Sequence, residues 1–319
     1  MGDITEQQRG QGILTVTLTD GNKTASFTSS SQLRVESLAT FSDVTIGKVK
    51  ITDGSLDVAL TSNSELAVRS SDFLAEVRKK NVPGHSMVHK FGRNDAVANG
   101  AWELISLTSS APNFRTSAAT VRIKAGGDAA DTAAGAGARE VTVQGIDASF
   151  AETSEAIATN GAGASVTTTT FFWRIHRAWV SDIGTYGAAN TAAVTIEDSA
   201  GDNDMILIGT DEGQTQYTAW TVPESRTAYL LSLHVTVDAQ KPADIRVFTR
   251  DDIDAVSSGM KSKRLKLYFD GISGSFVYRP VGPDTNINQK SDIWVEAQGS
   301  GAQTEVSCDF ELLVVEAGF

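Results

Sequence analysis

Four histidines, one cysteine and two acidic clusters are the residues of this chain best suited to chemistry. His85 and His89 stand four apart, a spacing that puts two zinc ligands on one helix face. Pro83-Gly84 precedes them, however, and the surroundings read as loop running into strand. There the two would share a strand face with no third ligand nearby in sequence. His176 lies in the alternating stretch Trp173-Arg174-Ile175-His176-Arg177, and His234 lies between Leu233 and Val235. Both read as surface or half-buried strand positions. Cys308 sits in Val306-Ser307-Cys308-Asp309-Phe310, where a small buried hydrophobe is the default.

The acidic clusters suggest cation or sugar chemistry. Glu197-Asp198-Ser199-Ala200-Gly201-Asp202-Asn203-Asp204 has the oxygen-rich, glycine-containing look of a calcium loop. It lacks EF-hand spacing and the terminal bidentate Glu, so residues 197–204 read better as an acidic hairpin loop, with calcium as the alternative. Asp251-Asp252-Ile253-Asp254 is the second cluster. A glycosidase pair need not be close in sequence. A polysaccharide depolymerase would therefore draw on Asp202, Asp204, Asp251 or Asp252. Against this, the chain has no G-x-S-x-G elbow, no phosphate loop and no G-x-G-x-x-G. Gly135-Ala136-Gly137-Ala138 has no strand-helix context. No nucleophile, base and orienter stand at a recognisable spacing. The expectation is a chain that is not an enzyme, with no catalytic, cofactor-binding or metal residue to assign and no cofactor.

The elements that would position these residues are strands. Apolar residues recur with period two in Ile13–Leu18, Val44–Ile51, Leu56–Leu60, Val121–Lys124, Val141–Val143, Leu233–Val237, Ile245–Phe248, Leu265–Phe269 and Val306–Val315. Turn signals separate them: Asp20-Gly21-Asn22, Asp53-Gly54, Asn160-Gly161, Asp270-Gly271 and Gly299-Ser300-Gly301. Short strands with regular turns predict an all-β chain of sandwich or barrel type. Helical spacing is convincing only at Ser71–Lys80, where Ser71 or Asp72 would cap and the terminal Lys and Arg suit the dipole.

Domain organisation follows composition. The 319 residues suggest roughly two domains at about 150 residues each. Residues 1–80 are Ser/Thr-rich and poor in aromatics, and read as an extended β arm or small β region. Residues 81–205 are expected to form a first β-sandwich, with Ala125–Arg139 a long flexible loop or a hairpin tip at the surface. Residues 206–319 would form a second. The run Lys261-Ser262-Lys263-Arg264-Leu265-Lys266 reads as a solvated strand edge.

Charge narrows the partners. The chain has 27 basic and 39 acidic residues, a formal net charge of −12. It lacks the basic footprint of a nucleic-acid binder and would be repelled by anionic membranes. No apolar run approaches the roughly 20 residues of a membrane span. MGDITEQQRGQG has no apolar h-region, so no secretory signal is expected. A single cysteine excludes an internal disulfide and suits the reducing cytosol.

Several phrases together resemble a family. VHKFGRN, GAREVTVQGIDASFAETSEAI, TTTTFFWRIHRAWV, GQTQYTAWTVPESRTAYLLSLHVTV and KSDIWVEAQGSGAQTEVSCDFELLVVE are similar to phrases of virion structural proteins of tailed bacteriophages. The resemblance covers residues 82–319. It implies jelly-roll-type halves and a place on the particle exterior, as a capsid decoration or head-fibre-like protein. The implied partners are self, as a homotrimer, and the major capsid protein or other virion proteins, with assembly in the host cytoplasm. A second placement is a tail adaptor or receptor-binding fibre, reading host glycans with loop aromatics such as Trp102, Tyr186 or Trp220. A glycan depolymerase is the remote third.

Overall fold

The structure is a computed structural model. It describes residues 72–319 apart from 109–113, 258, 260, 281–285 and 302; of residues 1–71 it describes the backbone of five short strands. The chain divides into two units, Met1–Ser70 and Ser71–Phe319. In the first, β1 (Thr15–Thr17), β2 (Thr24–Phe27) and β3 (Leu33–Arg34) form one antiparallel sheet in that order. There β4 (Val49–Ile51) pairs with β5 (Leu56–Val58). Three of these strands fall inside the runs expected at 13–18, 44–51 and 56–60. The rest of the expected arm lies outside the described residues.

The second unit opens with α1 (Phe73–Arg78). Asp72 caps it, its Oδ1 accepting from Leu74 N at 3.0 Å, and Lys80, left-handed at φ +62°, follows its end. Everything after it is β structure: β6 (His85–Val97), β7 (Glu103–Leu104), β8 (Val121–Ile123), β9 (Ala138–Asp147), β10 (Glu152–Ala158) and β11 (Phe172–Ile183). Then come β12 (Val194–Asp198), β13 (Asp204–Ile208), β14 (Ala219–Thr221), β15 (Arg226–Val237) and β16 (Ala243–Arg250). The chain ends through β17 (Arg264–Ile272), β18 (Gly274–Tyr278), β19 (Asn286–Ile287), β20 (Asp292–Gly299) and β21 (Thr304–Glu316). Among the described residues the all-β expectation and the single short helix hold. Among the described residues no helix is long and apolar enough to cross a membrane.

The strands of the second unit make two five-stranded and two three-stranded sheets. One runs β14-β20-β16-β17 with β7 on β20; another runs β18-β15-β21-β6 with β19 on β15. The smaller sheets run β10-β9-β11 and β13-β12-β8. The pairing does not sort by halves of the sequence. Strand β6, from the 81–205 block, pairs with β21 at the far end of the chain, and β13 crosses the expected boundary at 205/206. Antiparallel edges pair wherever a complementary edge is presented, at any sequence distance.

Two hydrophobic clusters explain the layering. Ile293, Val295 and Ala297 of β20 enter one, with residues of β15, β16 and β21. Trp294, between them in sequence, enters the other, with Val141, Val143, Phe172, Ile175, Ile196 and Ile206. The β14-β20-β16-β17 sheet thus has apolar cover on both faces, which is why β20 is buried almost throughout.

Glycines mark two constraints. Gly271 (φ +62°) and Gly274 (φ +69°) lie where the chain leaves one five-stranded sheet on β17 and enters the other on β18. The turn expected at Asp270-Gly271 is therefore the end of a strand leading into a change of sheet. Gly145 of β9 faces β11 so closely that a Cβ would run into the Arg174 carbonyl. The loop expected to be flexible at 125–139 is fastened. The buried Asp131 carboxylate accepts from the backbone N–H groups of Ala138, Thr191 and Ala192 at 2.8–2.9 Å.

A buried ion pair joins the layers. Arg174 of β11 donates from Nε and Nη2 to Asp292 of β20 at 3.1 and 3.0 Å, with side chains 5% and 0% exposed. Thr221 Oγ1 donates to the same carboxylate at 2.7 Å, and Arg174 Nη1 donates to the carbonyls of Arg115 and Trp173. Arg174→Met should cost about 3–5 kcal/mol in denaturant unfolding, because it strands a buried carboxylate. The double change Arg174→Met with Asp292→Leu should recover part of that loss; equal losses would show that the lone charge is not the cause. Gly145→Ala should cost about 1–3 kcal/mol by forcing β9 and β11 apart, read in the same assay.

Candidate functional site

A group of ionisable side chains off the open surface lies where β6 meets β11. Strand β11 carries register shifts between Phe172 and Arg174 and between Ile175 and Arg177. Trp173 and His176 are thus the extra residues of two bulges, and a bulge re-aims the side chains beside it. Arg174, Ile175 and His176 are consequently buried in succession. The sequence reading placed His176 at a surface or half-buried position from strict alternation. It is 4% exposed, and the bulge is the reason.

Lys90 of β6 is also 4% exposed and donates to the carbonyl of His176. Its ammonium lies 5.7 Å from the centre of the Tyr217 ring. The His176 ring is 5.8 Å from Trp220, and its Nε2 has no partner among the described residues. Arg177, half-buried, donates to the carbonyl of His89 at 3.0 Å. Burial, and then Arg177, push the Lys90 ammonium well below its ordinary range. Burial first, then Lys90, Arg174 and Arg177, push the His176 imidazole well below 6.5. His176 is neutral at neutral pH. Chemically the cluster is a concentration of positive charge and N–H donors suited to an anion.

A cavity of about 410 Å3 adjoins this cluster, lined among others by Lys80, His89, Lys90, Gln144, His176 and Arg177. A second, of about 470 Å3, is bounded by apolar residues such as Leu230, Leu265, Leu267 and Ile287, with Lys266 as its one charged described residue. The titratable groups gather at the first.

The other histidines are on one sheet face. His85 and His89 lie on β6 as expected, and His85 Nδ1 sits 2.8 Å from the Pro83 carbonyl oxygen. His89 Nε2 lies 3.6 Å from Asp309 Oδ1. On the other side of Asp309, its Oδ2 is 3.3 Å from His234 Nδ1, and His234 Nε2 is 2.9 Å from Ser275 Oγ. Ser275, His234 and Asp309 thus follow the order of a nucleophile, base and orienter. The sequence reading missed them because they come from β18, β15 and β21, which only sheet pairing makes neighbours. The set lies on an exposed face, with the side chains of His234 and Asp309 42% and 38% exposed, and neither cavity above includes Ser275.

The acidic clusters are held by protein donors. The 197–204 loop is the β12–β13 hairpin. Glu197 pairs with Arg122 at 2.7 Å and Asp204 with Lys124 at 2.7 Å. Burial works to raise Asp198, but hydrogen bonds from Asn203, Asp202 N and Gly201 N, with Arg115 nearby, outweigh it and lower its pKa. Asp251 pairs with Arg264, and Asp254 with Lys290 at 3.1 Å. Among the described residues, no three of His, Cys, Asp and Glu gather in an arrangement that could hold a metal ion. Cys308 is the buried small hydrophobe expected, and burial pushes its thiol well above 9. Of the aromatics named for glycan stacking, Tyr186 is fully exposed. Trp102 lies under the Arg246 guanidinium at 3.9 Å, and Trp220 is a buried β14 residue, not a loop aromatic.

The neutral His176 has a stability consequence. The unfolded chain takes up a proton on this histidine as pH falls through about 6.5, and the folded chain does not. The folded state is therefore progressively disfavoured as pH drops below that value. Between about pH 7 and pH 5 the fall in unfolding free energy should be shallower for His176→Gln than for the parent chain. Parallel curves in urea titrations would refute the assignment.

No protein-family model matches the chain, and no curated protein matches it. A solved structure titled "Structure of infectious bursal disease virus Gt strain" is similar over 78% of this chain and 78% of that one, at 9% identity and a TM-score of 0.21. A likeness this slight decides neither fold nor function.

Proposed function

We propose that the chain is a structural protein of a tailed-bacteriophage virion, carried on the capsid exterior as a decoration or stabilising protein. The observation that carries this reading is the group of phrases that resemble such proteins. They fall on β6, on β9 and β10, on β11, on β14 and β15, and on β20 and β21. In this reading the two five-stranded sheets around their common core form a jelly-roll-like sandwich. The N-terminal segment attaches to the major capsid protein, and the body associates as a homotrimer.

Surface features support association. Strands β17 and β18 are edge strands of the two large sheets. Leu265 and Tyr268 on β17 are 53% and 48% exposed, and Val277 on β18 is 55% exposed. Exposed edges invite pairing with another chain, and backbone hydrogen bonding suffices for strand addition. The glycan-binding alternative is weakened by the burial of Trp220. The non-catalytic reading rests on the exposure of the His234 and Asp309 side chains beside Ser275 and on the engagement of Asp204 and Asp251 in ion pairs.

Copy number tests the placement. Quantitative mass spectrometry of purified virions should find the chain at an abundance approaching the major capsid protein; a few copies per particle would move it to the tail. Deleting residues 1–70 should leave the β body folded by circular dichroism and abolish incorporation, and wild-type occupancy by the truncated chain would show that the segment is not the anchor. A fluorophosphonate probe should leave Ser275 unlabelled. Stoichiometric labelling that is lost in His234→Ala would overturn the non-catalytic reading.

A further inference from the structure

The groove beside β6 and β11 gathers positive charge in an acidic chain. Lys80, Lys90 and Arg177 line it together with the rings of His89 and His176, against a formal net charge of −12 for the whole protein. Its one lining carboxylate, Glu152, is held by Arg226 at 2.7 Å. Met87, Val88 and Trp220 supply an apolar wall, and Ser86 and Gln144 add uncharged polar groups. A volume of about 410 Å3 lies within the range of small-ligand sites, about 300–1,000 Å3.

The floor is electrostatically incomplete. An ammonium carries three donors, and Lys90 spends one on the His176 carbonyl. Among the described residues neither Lys90 nor Arg177 has a carboxylate partner. A cation this deeply buried normally has a counter-charge. His176 adds a buried ring nitrogen with no partner of its own.

We propose that this groove is an oxyanion-binding site, in which a carboxylate or phosphate group supplies the counter-charge missing at Lys90 and Arg177. Lys80 and His89 stand at the exposed rim and steer the anion inward, and Met87 and Val88 face the body that carries it. The perturbed ammonium of Lys90 supports this assignment, because a bound anion restores the charged form that burial disfavours. The same chemistry comes from two sources, free inorganic phosphate or a carboxylated sugar.

The full chain is titrated with sodium phosphate, sodium glucuronate and neutral glucose at fixed ionic strength, with sodium chloride as the balancing salt. Amide spectra are followed for residues 86–90 and 176–177. Phosphate or glucuronate should shift these resonances saturably, and glucose and chloride should not. Saturation by phosphate alone identifies the free anion as the source; tighter binding of glucuronate identifies the carboxylated sugar. Lys90→Met should weaken binding about tenfold or more. Arg177→Gln, at a half-exposed position whose loss leaves the core packed, should do the same and decides the matter if Lys90→Met does not fold. No saturable shift with either anion, an equal response to glucose, or unchanged affinity in Arg177→Gln would overturn the proposal.

Discussion

The body of the protein depends on one buried ion pair. Arg174 and Asp292 meet at the contact between β11 and the central β14-β20-β16-β17 sheet, and neither reaches solvent to any useful extent. Desolvating two charges is costly, and it is tolerable only where geometry and additional hydrogen bonds are good. Both conditions hold here. The guanidinium makes two parallel bonds to the carboxylate, Thr221 satisfies one carboxylate oxygen further, and two backbone carbonyls accept from Nη1. Such a pair specifies one arrangement of the layers more sharply than apolar contact would, since apolar surfaces tolerate sliding and this network does not.

The bulges in β11 follow from the same contact. A regular strand would send Arg174 and His176 to the same face and Ile175 to the other. The extra residues at 173 and 176 bury all three, and Gly145 on β9 leaves room for the displaced Arg174 carbonyl. One consequence is structural, the ion pair. The other is the unbalanced positive charge of Lys90 and Arg177, beside the unpartnered His176 ring and an open groove. The site and the layer contact are two results of one irregularity.

The rest of the charge is spent differently. Glu296 accepts from Trp294 Nε1 at 2.6 Å and from Arg246 Nε at 2.7 Å, and Arg246 in turn covers Trp102 and Phe248. These contacts close the face of the central sheet that holds Trp294. Along the outer edge of the same sheet, β17 keeps a row of basic side chains and two exposed apolar ones. The Lys and Arg residues there keep the edge soluble, and Leu265 and Tyr268 make it adhesive.

By itself the sequence determined the elements and their class. Period-two runs placed β8, β9, β15, β16, β17 and β21, the capped helix emerged at Asp72, and the acidic cluster at 197–204 was legible as a hairpin. These are local properties: side-chain alternation, capping and turn chemistry act over a few residues. Non-local features came from the packing of the chain. It paired β6 with β21 across the whole body, ran β13 through position 205, and converted Asp270-Gly271 from a turn into the approach to a change of sheet. It brought Ser275, His234 and Asp309 together from three strands, and it buried Trp220 and His176. The last case states the physical reason most plainly. A bulge is one extra residue in a ladder, visible only against the partner strand, so alternation read along a single strand assigns every side chain beyond it to the opposite face.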